Sequence, residues 1–214
     1  MKISKRLQKI AEMVKYPTVA DIGTDHGHLP IYLAQRGSAD KLLATDANAG
    51  PLGRARRNIA EAGLSHRVQT RLCDGLDGVN PAEYAACVIS GMGGGLIINI
   101  LRQNLPRAQN FRQLLLSPQR DVACVRRFLH QCGFRIDDEE MLEEKGVFYN
   151  ILDASPGNEA PYDEKGYVFG DVLLRKRPDA LKIFVKSELE KARKIERRDF
   201  QEYLQLCEEA LRCL

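Results

Sequence analysis

A short apolar strand, a glycine-containing turn and a helix occupy residues 19–37 and constrain the fold of this chain more than any other stretch. Val19, Ala20 and Ile22 are typical of a buried strand, GTDHG at residues 23–27 predicts a tight turn, and residues 29–37 resume with a helical pattern. A glycine turn between a parallel strand and its crossover helix is where open α/β sheets bind adenosine-containing ligands. The same pattern is also consistent with a plain structural turn.

The chain repeats this alternation of strands and helices as far as residue 132. An amphipathic helix over residues 4–15 precedes it, and two strands joined at Lys145-Gly146 follow it. Alternating elements predict a parallel sheet with helices on both faces. We therefore predict an α/β fold, and its closing antiparallel pair resembles the seven-stranded, Rossmann-like S-adenosylmethionine-dependent methyltransferases. The predicted strands are 19–22, 41–45, 67–73, 85–90, 111–116, 134–142 and 147–154, and the helices between them are 29–37, 50–62, 96–105 and 122–132.

Acidic residues stand at the carboxyl ends of the first three predicted strands, at Asp21, Asp46 and Asp74. A carboxylate at the end of the second strand can accept both hydroxyls of a ribose, which fits a nicotinamide cofactor equally well. Asp74 followed by Gly75 resembles the acid that holds the adenine amino group in methyltransferases. The alternative interpretation is that these are solvent-facing loop aspartates.

Several motifs carry a more specific resemblance, which extends over nearly the whole chain. They closely resemble the bacterial tRNA (adenine-N1)-methyltransferases that modify adenine 22. One departure from the general methyltransferase pattern is Asp25, which replaces the usual second glycine of the turn; residues 46–50 also match less well, so the ribose contact rests on position. The motifs are SKRL at residues 4–7, ADIGTDHGHLP at 20–30, DGL at 74–76, ISGMGG at 89–94 and SPQ at 117–119.

The resemblance implies an S-adenosylmethionine cofactor, a tRNA substrate and methyl transfer to a ring nitrogen. Asp25 and His26 are the catalytic candidates, and the alternative for His26 is a turn residue hydrogen-bonded to the backbone. Met92 is expected to line the cofactor pocket, and the alternative is that it only fills the core. The methionine ammonium favours a nearby acid, Asp21 or Asp25. No N/D-P-P-Y/F motif follows the fourth strand, which argues against an exocyclic amine as acceptor. The predicted cofactor-binding residues are Asp21, Gly23, Thr24, Asp25, Gly27, Asp46, Ala47, Asp74, Gly75, Ser90, Gly91 and Met92.

The formal net charge is only +3, but basic residues concentrate in two segments. Residues 2–15 and residues 54–71 each carry five basic side chains against one acidic side chain. Such segments are typical of a polyanion-binding surface, and solvated helix faces are the alternative. The N-terminal residues predicted to bind RNA are Lys5, Arg6 and Lys9.

The C-terminal stretch is a separate helical domain by prediction. From residue 178 onwards it contains no glycine and no further proline, and it carries two apolar stripes at helical spacing. Two antiparallel helices in a small coiled-coil hairpin are favoured, with one long helix as the alternative. We predict domains at 1–158 and 159–214, with a basic, RNA-binding tip at Arg193, Arg197 and Arg198.

The remaining features bound the class of protein. No apolar run reaches the roughly 20 residues of a membrane span, and the basic N-terminus lacks the apolar core of a secretory signal. The six cysteines show no metal-binding spacing, so we expect reduced thiols, a cytoplasmic location, no metal and no obligate protein partner. A methyltransferase of a small molecule or protein, and a non-catalytic RNA-binding protein on this scaffold, are the alternative functions.

Overall fold

A single seven-stranded sheet organises the molecule, of which the computed structural model describes residues 3–194 and 199–214. The strand order is β3-β2-β1-β4-β5-β7-β6, with parallel pairing from β3 to β5 and antiparallel pairing of β7 with both neighbours. The predicted α/β fold and its closing antiparallel pair are confirmed. The strands are β1 Thr18–Ile22, β2 Lys41–Asp46, β3 Val68–Leu72, β4 Ala86–Met92, β5 Gln113–Pro118, β6 Phe134–Glu144 and β7 Val147–Pro156.

The helices follow the predicted pattern with two differences. Pro106 does not simply end the fourth helix; it occupies the second position of a new short helix, where a missing N–H leaves no hydrogen bond unmade. The sequence pattern is ambiguous over residues 164–175, and the structure forms two further short helices there, Glu164–Phe169 and Asp171–Lys176. The helices are α1 Lys5–Met13, α2 His28–Arg36, α3 Ala49–Glu61, α4 Gly94–Gln103, α5 Leu105–Ala108, α6 Val122–Gln131, α7 Glu164–Phe169, α8 Asp171–Lys176, α9 Asp179–Arg193 and α10 Asp199–Cys213.

Two apolar layers lie on opposite faces of the sheet. In β1, Ala20 and Ile22 face the layer that contains α4 and α6, whereas Val19 faces the layer of α1, α2 and α3. Successive strand residues point to opposite faces, so a strand buried on both faces must be apolar throughout. In the central strands β1 and β2, the acidic side chains Asp21 and Asp46 accordingly lie near the carboxyl ends.

The C-terminal helices α9 and α10 pack against each other. The Tyr203 hydroxyl on α10 donates to Glu188 on α9 over 2.8 Å, a contact that one continuous helix could not make. Two helices are therefore confirmed, and the alternative of one long helix is wrong. The predicted boundary between residues 158 and 159 stays a prediction.

Charge pairs attach the α7–α8 segment to strand β6. The buried Arg126 guanidinium donates to Glu139 over 2.7 Å and to the Tyr167 carbonyl over 2.7 Å. On the surface, Lys176 contacts Asp138 and Glu140. Acidic side chains of β6 thus hold neighbouring elements in place.

Candidate functional site

Two adjoining cavities open at the carboxyl ends of the central strands. We define the turn cavity, of about 300 Å³, by Arg6, Asp21, Thr24, His26, His28 and Gly91. We define the strand-end cavity, of about 310 Å³, by Asp46, Asp74, Gly75, Met92, Leu96 and Ile100. Gly23 and Asp25 line both cavities, so together they form one continuous candidate site around the turn that follows β1.

The turn itself depends on glycine at two positions. Gly23 has φ of +71°, and a Cβ there would lie 2.0 Å from Met92 Cε. Gly27, also at φ +71°, caps α2, and a Cβ there would lie 3.3 Å from Ala55 Cβ. Only glycine takes this conformation at no steric cost. Gly23 lines the site, whereas Gly27 lines neither cavity and instead allows close packing of α2 on α3.

Asp21 is the buried carboxyl group of the turn cavity. Its side chain accepts a 2.6 Å hydrogen bond from the Thr24 hydroxyl. Burial raises the pKa of Asp21 to about 6, although Thr24 and the cation of Arg6 act in the opposite direction. A carboxyl group with such a pKa changes charge close to neutral pH, so the site can present either a charged or a neutral acid.

Arg6 lies on helix α1 and forms part of the wall of the turn cavity. Its Nη1 atom is buried and has no hydrogen-bond partner among the described residues. A Cβ on Gly91 would lie 3.5 Å from both terminal nitrogens, and the Tyr149 ring centroid is 5.5 Å from Cζ. Burial lowers the pKa of the guanidinium from its ordinary value. This placement differs from the exposed phosphate contact that the basic N-terminal segment suggested.

The strand-end cavity combines an oriented carboxylate with an apolar slot. Asp46 accepts hydrogen bonds from the backbone N–H groups of Asn48, over 2.9 Å, and Asp25, over 3.3 Å. Asp74 is exposed at the next strand end, beside Gly75 at φ +50°. A slot with acceptors along one edge suits a flat ring with hydroxyl and amino donors. The apolar lining is Ile22, Pro51, Met92, Leu96 and Ile100.

Of the predicted catalytic residues, Asp25 lies where the cavities meet, and His26 lines the turn cavity. Asp25 Oδ1 pairs with Arg54 Nη2 over 2.9 Å, and its Oδ2 lies 3.5 Å from His26 Nε2. The His26 ring stacks on His28 with centroids 5.3 Å apart. The His26 carbonyl also accepts from the Asn58 side chain over 2.8 Å. The residue therefore holds the turn through its backbone while its ring faces the turn cavity.

The other predicted cofactor residues divide between the cavities. Ser90 and Gly91 line the turn cavity, whereas Ala47 lines the strand-end cavity. His28 and Gln119 also line the turn cavity, and the sequence pattern alone gave them no role. Both lie inside the motifs that carried the family resemblance, which is the signal that could have identified them.

The predicted RNA-binding residues do not converge on the cavities, apart from Arg6. Lys9 pairs with Glu12 over 3.1 Å, and Arg193 pairs with Glu208 over 3.5 Å. Lys5 is exposed at the start of α1. The predicted contacts of Arg197 and Arg198 fall outside the described residues.

The rest of the molecule shows few features of other ligand classes. Within residues 3–194 and 199–214, no group of three or more metal-ligating side chains comes together. No described helix is long and apolar enough to cross a membrane. All six cysteines are free thiols.

Comparison with known proteins places these features in a class. A family model described as "Methyltransferase domain" matches residues 3–152, so the chain is a methyltransferase-domain protein. The tRNA (adenine(22)-N(1))-methyltransferase of Bacillus subtilis is 34% identical over 183 residues, which cover 83% of this chain and 77% of the relative. The chain belongs to the family of the tRNA (adenine(22)-N(1))-methyltransferases.

Solved structures agree with this assignment. The Streptococcus pneumoniae protein Sp1610, in complex with S-adenosyl-L-methionine, is 32% identical with a TM-score of 0.93, over 98% of this chain and 100% of that one. The m1A22 tRNA methyltransferase TrmK of B. subtilis is 27% identical with a TM-score of 0.88, over 98% and 99% of the two chains. The similarity therefore includes the C-terminal helices.

Proposed function

We propose that this protein transfers a methyl group from S-adenosylmethionine to N1 of adenine 22 in tRNA. The observation that carries the proposal is that Asp46 and Asp74 border one apolar slot, which joins the turn cavity at Gly23 and Asp25. Such a slot suits an adenosine, and the turn cavity beside it suits the methionine part of the donor and the target base.

The strand-end cavity fits the adenosine half of the donor. Asp46, held by two backbone N–H groups, keeps free lone pairs for the two ribose hydroxyls. Asp74 and Gly75 would hold the adenine amino group, and the apolar side chains of Leu96 and Ile100 would pack on the ring. A Cβ on Gly75 would lie 3.1 Å from Ile100 and would narrow the slot.

When bound, S-adenosylmethionine supplies a methyl group on a positively charged sulfur. Adenine N1 offers a lone pair, so the residues of this chain need not act as a general base. The methylated ring becomes cationic, and Asp25, on the loop between the cavities, stabilises that developing charge. Arg54 fixes the orientation of the Asp25 carboxylate. The remaining contribution of the protein is alignment of the two reactants.

The tRNA must present its target adenine outside the base stack, because a stacked base cannot enter a cavity of this size. His26, whose ring is 43% exposed, lies at the mouth of the turn cavity. In this proposal Lys5, Lys9, Arg193, Arg197 and Arg198 contact tRNA phosphates. RNA binding by these residues and a cytoplasmic location stay predictions.

Incubation with labelled methyl donor and unmodified total bacterial tRNA, followed by mapping of the modified base, tests the proposal. We expect label in tRNA, as 1-methyladenine at position 22. A transcript with guanine at position 22 is the matched control and should accept no label. Label at another nucleotide, or only in a protein or small molecule, would refute the assigned substrate.

A further inference from the structure

Gln119 lines the turn cavity directly after strand β5, and no step of the proposed chemistry uses it. The residue is exposed, and its side chain makes no hydrogen bond to the described part of the chain. A free side-chain amide offers one carbonyl acceptor and two N–H donors. The wall of the cavity therefore carries a neutral group that can both accept and donate hydrogen bonds.

The backbone around Gln119 is held by the connection from β4 to α4. The Gln119 N–H donates to the Met92 carbonyl over 2.9 Å. The Arg120 carbonyl accepts from the Gly94 N–H over 3.0 Å. A Cβ on Gly94 would lie 2.7 Å from that carbonyl oxygen, so a larger residue there would displace the segment. Two backbone contacts thus fix the place of Gln119 at the cavity and leave its side chain free.

The order of the strands separates Gln119 from the adenosine half of the donor. Asp74, at the adenine end of the strand-end cavity, follows β3, whereas Gln119 follows β5. In the sheet order β3-β2-β1-β4-β5, four inter-strand spacings of about 4.8 Å each lie between these two strands. Of the lining residues that belong to or follow a strand, Gln119 comes from the strand farthest from Asp74. It is therefore placed to contact the acceptor base.

We propose that Gln119 recognises the target adenine through its N6 and N7 atoms and so determines the base specificity of methyl transfer. This inference rests on the proposed function, because it takes an adenine methylated at N1 as the acceptor. The amide carbonyl accepts from the N6 amino group and the amide NH₂ donates to N7, a planar bidentate pairing. N1 takes no part in it and keeps its lone pair for the methyl group.

The same amide discriminates against guanine. Guanine presents two acceptors, O6 and N7, where adenine presents a donor and an acceptor, so the Gln119 carbonyl would face O6 without a hydrogen bond. An unpaired polar group in a closed site is costly. Gln119 thus adds a second criterion to the chemical requirement for a lone pair at N1.

Three tRNAs that differ only in the base at position 22 test this pairing. One carries adenine, one carries purine, which lacks the N6 amino group, and one carries 7-deazaadenine, in which C–H replaces N7. We measure kcat/KM at saturating S-adenosylmethionine for the wild type and for Gln119→Ala. Because the three bases differ in the basicity of N1, the informative quantity is the preference for adenine in the wild type divided by that in the variant.

We expect this quotient to be about three- to tenfold for each modified base, since each lacks one of the two hydrogen bonds. On the adenine tRNA, Gln119→Ala should lower kcat/KM about ten- to a hundredfold, the loss of a bidentate pair. Calorimetric titration with S-adenosylhomocysteine, the product form of the donor, checks that the variant is folded. Its affinity should stay within about twofold of the wild-type affinity, because Gln119 does not contact the donor in this proposal.

Two further variants sharpen the test. Gln119→Glu keeps the acceptor for N6 but has no donor for N7. Its preference for adenine over purine should stay near that of the wild type, whereas its preference over 7-deazaadenine should fall to the level of Gln119→Ala. Gln131→Ala removes an exposed glutamine at the end of α6, outside both cavities, and should leave both preferences unchanged.

The opposing outcomes are distinguishable. Equal preferences in the wild type and Gln119→Ala would overturn the inference, whatever the change in overall rate. Weaker S-adenosylhomocysteine binding with unchanged preferences would assign Gln119 to the donor site. If the wild-type protein did not methylate the tRNA with adenine at position 22, the proposed function itself would fail, and this inference with it.

Discussion

Charged side chains lie both at the carboxyl ends of the central strands and on the C-terminal helices, but their interaction partners differ. At the strand ends, Arg6 has a buried nitrogen without a hydrogen-bond partner among the described residues, and the Asp46 carboxylate faces the strand-end cavity. In the helices, Lys191 lies 2.7 Å from Glu188 and Arg193 lies 3.5 Å from Glu208. Arg6 and Asp46 therefore face cavities that a ligand can fill, whereas Lys191 and Arg193 already have ion-pair partners within the protein.

The comparison shows why a run of basic residues is weak evidence for binding. An exposed ion pair contributes roughly 0–1 kcal/mol and is screened by salt, so the helices gain little from it and RNA could displace it. A buried donor without a partner within the protein costs about 1–3 kcal/mol, which a bound ligand or water can recover. A buried donor without a partner at the wall of a cavity is therefore stronger evidence for a binding site than a high density of exposed charge.

The largest effect should come from the strand-end acid. Asp46→Ala removes the acceptor for both ribose hydroxyls, each worth roughly 1.5–3 kcal/mol, so donor affinity should fall at least a hundredfold. Calorimetric titration with S-adenosylhomocysteine measures this change. Asp40→Ala removes an exposed acid just before the same strand and serves as the control. Wild-type affinity in Asp46→Ala would remove Asp46 from the site.

A smaller effect is expected at the acid between the cavities. Asp25→Asn keeps the shape of the side chain but loses the charge that stabilises the cationic product. The rate on saturating tRNA should fall about ten- to a hundredfold, while donor affinity changes about twofold or less. Single-turnover kinetics and donor titration separate these quantities. If both fall together, Asp25 belongs to donor binding.

The ion pair of Asp25 needs its own control. Arg54→Gln removes the partner and leaves the carboxylate, so its rate should stay well above that of Asp25→Asn. Equal rates in the two variants would show that only the orientation of the loop matters.

Donor affinity should also depend on pH through Asp21. Burial raises the pKa of this group to about 6, so it is mostly protonated below that pH, and a protonated acid cannot pair with the donor's ammonium. Affinity for S-adenosylhomocysteine should therefore rise with pH, up to about tenfold per unit below pH 6, and level off above it. His26 and His28 face the same cavity, so Asp21→Asn is the control and should flatten the profile. An equally steep profile in that variant would exclude Asp21.

The smallest effect should come from the C-terminal helices. Deleting residues 178–214 would uncover the buried Phe169, which packs on Phe184 and Tyr203, so point variants are the better test. Removing one cation that binds a phosphate lowers the slope of log affinity against log salt by about one. Because Lys191 and Arg193 are already paired, the double alanine variant should lower the slope by less than one, compared with about one for the exposed Lys5 alone. An unchanged slope in the first variant would assign α9 and α10 to stability or dimerisation.

The alternation of strands and helices was readable from the chain because strands buried on both faces must be apolar throughout. Asp21, Asp46 and Asp74 could be placed at one end of the sheet, because the carboxyl ends of neighbouring parallel strands lie side by side. The short helices within residues 164–176 were not readable. Their register depends on the buried Arg126, which binds the Tyr167 carbonyl from a distant helix.

The sequence by itself determined the sheet, the glycine turn at Gly23 and the family, because periodicity and local motifs act over neighbouring residues. The tertiary structure alone decided which charges are free. Arg6 and Lys9 are alike as basic residues of one helix, yet Arg6 is turned against Gly91 and Lys9 pairs with Glu12. Burial and pairing are set by elements far apart in the chain, so a one-dimensional pattern of charge cannot contain them.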